Sequence, residues 1–402
     1  MDCIAKYFWK RSAHPMTFKK INIVADENIL GLDQYFKNST EVSFAIKKLP
    51  GRSIKDTDLK QCDVLLVRSV TPVNEALLHA TRVRFVGTAT SGVEHIDTQY
   101  LENRNIHFCD AKGANANAVA EFIIASIAYL CLQDKKNYFE KKIAIVGHGH
   151  VGKALEKKLN AFASKVNIYD PFLKQDLISE SKTIFYCDWQ DVLSSDLISL
   201  HVPYTGLGKF PTKNLLNKAF FDAIGNDSIL LNAARGEICE EDSLLEKLAT
   251  SDLKIVWDVW NHEPDISKAL LSKATLASPH IAGYSLDAKL NATEVLARKV
   301  HDILNLDFNI QAQDEIEKFY LKFDNSVTDI FHICHIILLA YNPVVDSENL
   351  RGFTKMSLSE HFDNLRRNYR HRYEWKHFNA SKLKVAGKYK VLLKTLGFYF
   401  EE

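Results

Sequence analysis

The stretch from Ile143 to Asp170, IAIVGHGHVGKALEKKLNAFASKVNIYD, constrains this chain more than any other. Four apolar residues, Ile143 to Val146, have the pattern of a buried strand. Gly147-x-Gly149-x-x-Gly152 then turns the chain into a helix with Ala154, Leu155 and Leu159 on one face. A second strand, Val166 to Tyr169, ends in Asp170, 18 residues after Gly152. Each glycine has a physical role. Gly147 permits a tight turn, Gly149 lets backbone approach a pyrophosphate, and Gly152 lets helix and strand pack closely. The helix N-terminus offers free N–H groups and a positive dipole end to phosphates. Asp170 is placed to accept hydrogen bonds from ribose hydroxyls and to repel a 2′-phosphate, which favours NAD over NADP. The plainer alternative is a glycine-rich turn with no ligand; the frame of strand, helix, strand and acid favours the dinucleotide. His148 and His150 fill variable positions of the loop and are expected to face solvent.

At 402 residues the chain is too long for one ordinary core and implies two or three domains. Its 51 basic and 50 acidic residues leave a net charge of +1, so no field draws it to nucleic acid or a membrane surface. Seven scattered cysteines without a CxxC pair fit reduced core thiols in a cytoplasmic protein better than disulfides or a zinc site. The apolar runs Phe122 to Leu132 and Ile333 to Ala340 are short for a bilayer. The N-terminus has no long apolar centre, and a strand pattern begins soon after Met16. Residues 1–19 are therefore expected to be a disordered extension rather than a secretory signal.

Strand patterns recur at Lys20 to Ala25, Cys62 to Arg68 and Phe85 to Ala89, with helical stretches such as Asn74 to His79 between them. This is a βαβ rhythm and implies a parallel sheet. Ligands gather beyond the C-terminal strand ends of such sheets. Arg68, Ser69, Thr90 and Gly92 fall there and form a candidate substrate wall. Ala118 to Leu132, apolar on nearly every face, predicts a buried helix bridging two domains. Beyond the dinucleotide unit come strands at Thr183 to Tyr186, Leu197 to Val202, Ser228 to Asn232 and Ile255 to Val259, and the series closes at Ala277 to His280. Arg235, Asp258, Glu263 and His280 thus sit at or just past strand ends.

Oxidation of a 2-hydroxy acid needs a carboxylate anchor, a proton acceptor and a fixed nicotinamide. Arg235 suits the first need, because a planar guanidinium binds a carboxylate through two parallel hydrogen bonds. His280, with an ordinary pKa near ~6.5, suits the second. Glu263 would favour its charged form, and Asp258 would accept a hydrogen bond from the nicotinamide carboxamide. Each of these residues alone has a plainer structural explanation: a surface ion pair, a structural histidine, a Glu-Pro turn. Their placement at successive strand ends after a framed dinucleotide loop favours the set.

IVGHGHVG with Asp170, LHVPYT at Leu200, NAARG at Asn232, DVWNHEP at Asp258 and SPHIAGY at Ser278 together resemble the D-isomer-specific 2-hydroxyacid dehydrogenases. The resemblance implies catalytic Arg235, Glu263 and His280. It also implies NAD contacts at Gly147, Gly149, His150, Val151, Gly152, Asp170, Val202, Ala233, Ala234, Arg235, Asp258 and Gly283. Further motifs, ADEN at Ala25, VRSVTPVN at Val67, FVGTATSGVEHID at Phe85, HIAGYSLDAK at His280 and LRRNYRHRYEW at Leu365, are similar to a branch with a C-terminal extension. That branch oxidises a phosphorylated four-carbon 2-hydroxy acid on the route to pyridoxal 5′-phosphate, as a cytoplasmic homodimer. It implies substrate contacts at Ser69, Thr90 and Tyr284, and Arg68 is a fair candidate for the phosphate. Val202 stands where the close relative has Thr, which removes a side-chain hydrogen bond to the cofactor; Lys112 replaces Pro and Ala234 replaces Cys.

The implied fold class is α/β: two Rossmann-like doubly wound parallel-sheet domains plus a C-terminal α+β dimerisation domain. Residues 20–115, completed by 285–310, would form the substrate domain, 116–284 the NAD-binding domain and 311–402 the dimerisation domain. Arg366, Arg367, Arg370 and Arg372 are expected in one helix, which would complete the phosphate site if it faces the partner's cleft and is otherwise a solvated face or packs in the dimer, and Ile330 to Ala340 is expected as a buried element of the dimer domain. Two alternatives stand beside this: a dehydrogenase for another D-2-hydroxy acid, and an NADH-sensing binding protein of the same fold. A nucleic-acid module on the basic C-terminal region is disfavoured, because Asp363 and Glu374 interrupt it.

Overall fold

Successive side chains of a strand point to opposite faces, and in the central strands of this protein both faces are apolar. Ile143 and Ile145 enter one core, Ala144 and Val146 another, and all four are fully buried. Strands buried on both faces belong to parallel sheets covered by helices. The computed structural model describes residues 20–40, 42–173, 186–308, 317–354 and 356–401. The chain divides into two units, Met1–Asn115 with Leu286–Glu315, and Ala116–Ser285 with Ile316–Glu402.

In the first unit, β1 (Ile21–Asp26), β2 (Phe44–Leu49), β3 (Val64–Val67), β4 (Phe85–Thr88) and β5 (His107–Asp110) form a parallel sheet in the order β2-β1-β3-β4-β5. The helix Leu286–Ile303 returns to this unit and buries Leu296, Ala297 and Val300 in the core shared by β1, β3 and β4. Sequence reading missed β2 and β5. Both are edge strands with mixed, half-exposed side chains, so neither has a continuous apolar run.

In the second unit, β6 (Lys142–Val146), β7 (Lys165–Tyr169), β8 (Leu197–Leu200), β9 (Ile229–Asn232), β10 (Lys254–Trp257) and β11 (Leu276–Ala277) form a parallel sheet in the order β11-β10-β9-β8-β6-β7. The strand expected at Thr183 to Tyr186 begins outside the described residues, as does the extension 1–19. Tyr186 itself makes a parallel bridge to Ile168 of β7. Helix Ala116–Asp134 is longer than the apolar run suggested and, at 19 residues, is long and apolar enough to cross a membrane by composition. Burial within the unit accounts for its apolar faces: Phe122, Ile123, Ile124, Ile127 and Leu130 are at most 1% exposed.

The C-terminal segment packs in the same unit. Helix Ile330–Ala340 buries Ile333, Ile336 and Ile337 in the core that holds helix Ala116–Asp134, and β12 (Phe319–Tyr320) pairs in parallel with β13 (Phe378–Asn379). The four arginines do not share a helix, contrary to expectation. Helix Leu358–Arg367 ends at Asn368, whose φ of −102° and ψ of 22° leave the helical region. Beyond it Arg370 pairs with Asp346 at 3.5 Å, and Arg372 is buried on the carbonyls of Ala282 and Ala118. Two backbone acceptors in separate segments fix that guanidinium, and the chain departs from the helix to reach them.

Arg372 belongs to a buried charged cluster. Glu121 lies 3.5 Å from Lys158 and accepts from Asn117 and from the Trp375 N–H, while Glu374 accepts from Asn117 and Ser285. Burial first, and then the Glu374 charge, push the Glu121 carboxyl up to about 7, against Lys158 and Arg372. The unfolded carboxyl titrates near ~4.3, so between that pH and about 7 the native state binds more protons and stability falls as pH rises. Urea unfolding from pH 5 to 8 should show a decline of about 1–3 kcal/mol that Glu121→Gln flattens. An unchanged slope in the variant would show that Glu121 is not its source.

Candidate active site

The glycine loop follows β6. At Gly147, with φ +94°, a Cβ would lie 2.6 Å from the His201 carbonyl oxygen; at Gly152 it would lie 2.1 Å from that of Gly147. Neither position has room for a side chain. Gly149 differs, since a Cβ there meets no atom within 4 Å. It precedes helix His150–Ala161, so bare backbone and the helix N-terminus face open space. That is the shape a pyrophosphate needs, and NAD fits the residues present. Asp170 ends β7 half-buried. Its Oδ2 accepts the His148 N–H at 3.0 Å, and its Oδ1 accepts from Phe172 and Leu173. The acid therefore fixes the glycine loop.

His150 is exposed and Val151 half-buried. His148 is not solvent-facing as expected: it is 1% exposed, with Nδ1 3.0 Å from the Tyr186 hydroxyl and Nε2 2.8 Å from Glu156. Both ring nitrogens find partners within the protein, which makes burial possible. After β8, Val202 packs toward Gly147. The neighbouring His201 is held neutral, its pKa driven down to about 3 by burial, with Nε2 2.8 Å from Ser199 Oγ.

Three further loops leave adjacent strands. After β9, Asn232 accepts the Ala234 N–H and donates to the Arg235 carbonyl, both at 3.0 Å, so the turn through Ala233 and Ala234 that carries Arg235 is closed by its own asparagine. Arg235 is half-buried and donates to the Ala234 carbonyl. Gly236 follows. A Cβ there would lie 2.1–2.4 Å from the backbone of Trp260 and Asn261, so only glycine lets the arginine loop abut the loop bearing Glu263.

After β10, the buried Asp258 carboxylate accepts from Ser278 Oγ at 2.6 Å and from the N–H groups of Ile281 and Ala282 at 2.8 and 3.1 Å. These bonds hold the turn after β11, in which His280 has φ +55° and Gly283 and Tyr284 are half-buried. Glu263 accepts the Trp260 N–H on one oxygen at 2.9 Å and contacts His280 Nδ1 with the other at 2.7 Å. Burial alone would raise the Glu263 carboxyl. His280, the Arg366 guanidinium and the Trp260 N–H outweigh it and hold the group below its ordinary value. Arg366 approaches Glu263 to 3.8 Å and donates to the Tyr284 hydroxyl at 3.2 Å.

In the first unit, Arg68 and Ser69 follow β3 and Thr90 follows β4, at the strand ends where ligands gather. Ser69 is exposed and Arg68 half-buried. The Thr90 hydroxyl contacts that of Thr88 at 2.7 Å and donates to the Gly92 carbonyl, and Thr88 contacts His95 at 3.0 Å. Sequence reading did not single out Asn232, Gly236 or Ser278 for a function. The signal was present in NAARG and SPH, but its meaning is a contact between loops.

Two substitutions separate ligand contact from folding. Gly149→Ala, at the N-cap of its helix, should cost no more than about 1 kcal/mol of stability yet weaken NAD binding in calorimetry. Gly236→Ala should cost about 1–3 kcal/mol through its clash with Trp260, read as a lower unfolding midpoint. Equal stability losses in both would refute the distinction.

A model of the D-isomer specific 2-hydroxyacid dehydrogenase NAD-binding domain matches residues 132–282. Among solved structures, D-lactate dehydrogenase from Aquifex aeolicus, complexed with NAD and lactic acid, is 20% identical with a TM-score of 0.55, covering 71% of this chain and 95% of that one. NAD-bound 3-phosphoglycerate dehydrogenase from Entamoeba histolytica is 21% identical with a TM-score of 0.58, covering 73% and 99%. At those identities they show the fold. Closer in sequence, erythronate-4-phosphate dehydrogenase of Cellvibrio japonicus is 34% identical over 392 residues, 94% of this chain and 99% of the relative. That of Psychromonas ingrahamii is 41% identical over 301 residues, 74% and 76% of the two chains. With the framed glycine loop, the NAD-binding domain and a relative matched nearly end to end, the chain belongs to the erythronate-4-phosphate dehydrogenases within the D-isomer-specific 2-hydroxyacid dehydrogenase family, and its activity is that of an NAD-dependent dehydrogenase.

Proposed function

We propose that this protein oxidises 4-phospho-D-erythronate to (R)-3-hydroxy-2-oxo-4-phosphooxybutanoate in pyridoxal 5′-phosphate biosynthesis. The observation that carries the chemistry is the 2.7 Å contact between His280 and Glu263. An ionised carboxylate only accepts, so Nδ1 of His280 carries a proton, and in the neutral imidazole Nε2 keeps a lone pair for a substrate hydroxyl. NAD, when bound, supplies the acceptor for the hydride leaving C2. His280 takes the hydroxyl proton, and Glu263 stabilises the imidazolium that results. Arg235 grips the substrate carboxylate through two parallel hydrogen bonds and polarises the developing carbonyl. Asp258 keeps the His280 turn in place. Ser69, Thr90, Tyr284 and Arg68 are assigned as substrate contacts, and Gly147, Gly149, His150, Val151, Gly152, Asp170, Val202, Ala233, Ala234, Asp258 and Gly283 as the NAD-binding set.

A cytoplasmic homodimer completes the proposal. Its support is an open groove of about 640 Å³ in the second unit, lined by Tyr129, Leu132, Phe323, Leu338, Leu339 and Val344, with Leu339 52% exposed. A second copy of the chain is the assigned occupant. Light scattering should give a dimer that Leu339→Glu dissociates, and a wild-type monomer at micromolar concentration would refute it.

NADH formation from 4-phosphoerythronate, with a 2-oxo acid present to recycle the cofactor, tests the substrate. Turnover of an unphosphorylated hydroxy acid in its place would overturn the assignment. His280→Ala should lower kcat by about 10²–10⁴-fold while the Kd for NAD stays within about twofold. Parallel loss of cofactor affinity would make the histidine structural.

A further inference from the structure

Arg366 is the one of the four expected C-terminal arginines whose guanidinium lies against the Glu263–His280 pair, and it comes from the same chain. Helix Leu358–Arg367 starts with a capping box between Ser357 and Glu360 and anchors itself through buried Phe362. Arg366 lies one turn on, in the last turn, where a cation is favoured by the helix dipole. Its guanidinium carbon lies 5.8 Å from the Phe362 ring centre and 5.9 Å from that of Tyr284.

A guanidinium has five N–H donors. Here one goes to the Tyr284 hydroxyl at 3.2 Å, and the 3.8 Å approach to Glu263 is an ion pair too long for a hydrogen bond. Nε is buried and finds no partner among the described residues. The side chain is only 21% exposed, so water does not readily satisfy what the protein leaves open. An enclosed cation with unspent donors calls for a ligand with several anionic oxygens. The substrate's carboxylate is already served by Arg235, and the C2 hydroxyl belongs to His280. The remaining anion is the phosphate at the far end of the four-carbon acid.

We propose that Arg366 binds the terminal phosphate and sets the preference for phosphorylated over unphosphorylated 2-hydroxy acids. This rests on the proposed substrate, and it assigns to the C-terminal segment of each chain a specificity group for that chain's own site. Arg366 also neutralises part of the Glu263 charge, so its loss should lower activity on any substrate. The quantity that distinguishes phosphate binding is therefore a ratio of two substrates.

The experiment compares kcat/KM for 4-phosphoerythronate and for erythronate in the wild type, Arg366→Met and Arg366→Lys. In the Met variant the phosphorylated-to-unphosphorylated ratio should fall roughly 10- to 100-fold, with partial recovery in the Lys variant, which keeps the charge but loses the fork. Inorganic phosphate should raise the unfolding temperature of the NAD-loaded wild type and of the Lys variant, and not of the Met variant. That readout needs no turnover. Equal losses on both substrates, or a phosphate-induced shift that survives in the Met variant, would confine Arg366 to acting through Glu263. If the Met variant does not fold, an unchanged ratio in the Lys variant overturns the proposal. A wild type indifferent to the phosphate removes the substrate assignment itself, and the role of Arg366 with it.

Discussion

The buried carboxylate of Asp258 is the interaction on which the conformation of the His280 turn depends. His280 is a non-glycine residue with φ +55°, a left-handed conformation that costs on the order of 1–3 kcal/mol and persists only where the surroundings over-determine it. Here the His280 N–H donates to the Asp258 carbonyl at 2.7 Å, and the Asp258 side chain accepts from Ser278, Ile281 and Ala282 on both sides of the histidine. Burial raises the Asp258 carboxyl above its ordinary value, against the pull of His280 and these three donors. Without the carboxylate, two backbone donors in a water-poor turn would lose their acceptor.

That arrangement is available because the sheet is parallel. Trp257 of β10 is in register with Asn232 of β9 on one side and Ala277 of β11 on the other. Neighbouring strands lie about 4.8 Å apart, so the three loops leaving their C-terminal ends start side by side. Asn232 closes the first loop, Asp258 starts the second and accepts from the third, and Gly236 removes the atom that would hold the first two apart. A glutamate and a histidine far apart along the chain thus meet through strand order, and the loop that carries Arg235 abuts the loop that carries Glu263.

The C-terminal segment is also built into the second unit. Arg372 donates to the Ala282 carbonyl, Ser285 donates to Glu374, and Arg366 donates to Tyr284. The turn that carries His280 is therefore held by Asp258 and along its exit by residues from the far end of the sequence. Breaking one partner of so buried a network leaves an uncompensated charge, so the cluster of Glu121, Lys158, Arg372 and Glu374 ties the segment to the unit.

Much of this was legible in the residues. The glycine spacing marked the turn out of β6, where only bare backbone fits, and it falls within the matched NAD-binding domain. The apolar runs marked the central strands, since a strand buried on both faces needs no polar alternation. Edge strands β2 and β5 were hidden by their mixed composition, and His148 was misjudged because nothing local shows that Tyr186 and Glu156 will satisfy both its nitrogens. Asn232, Gly236, Ser278 and Arg366 acquire meaning only from what lies opposite them. A sequence records which groups a chain can offer and with what local period. Which of them face one another depends on strand order and on the burial of pairs distant along the chain, and that was decided by the tertiary structure alone.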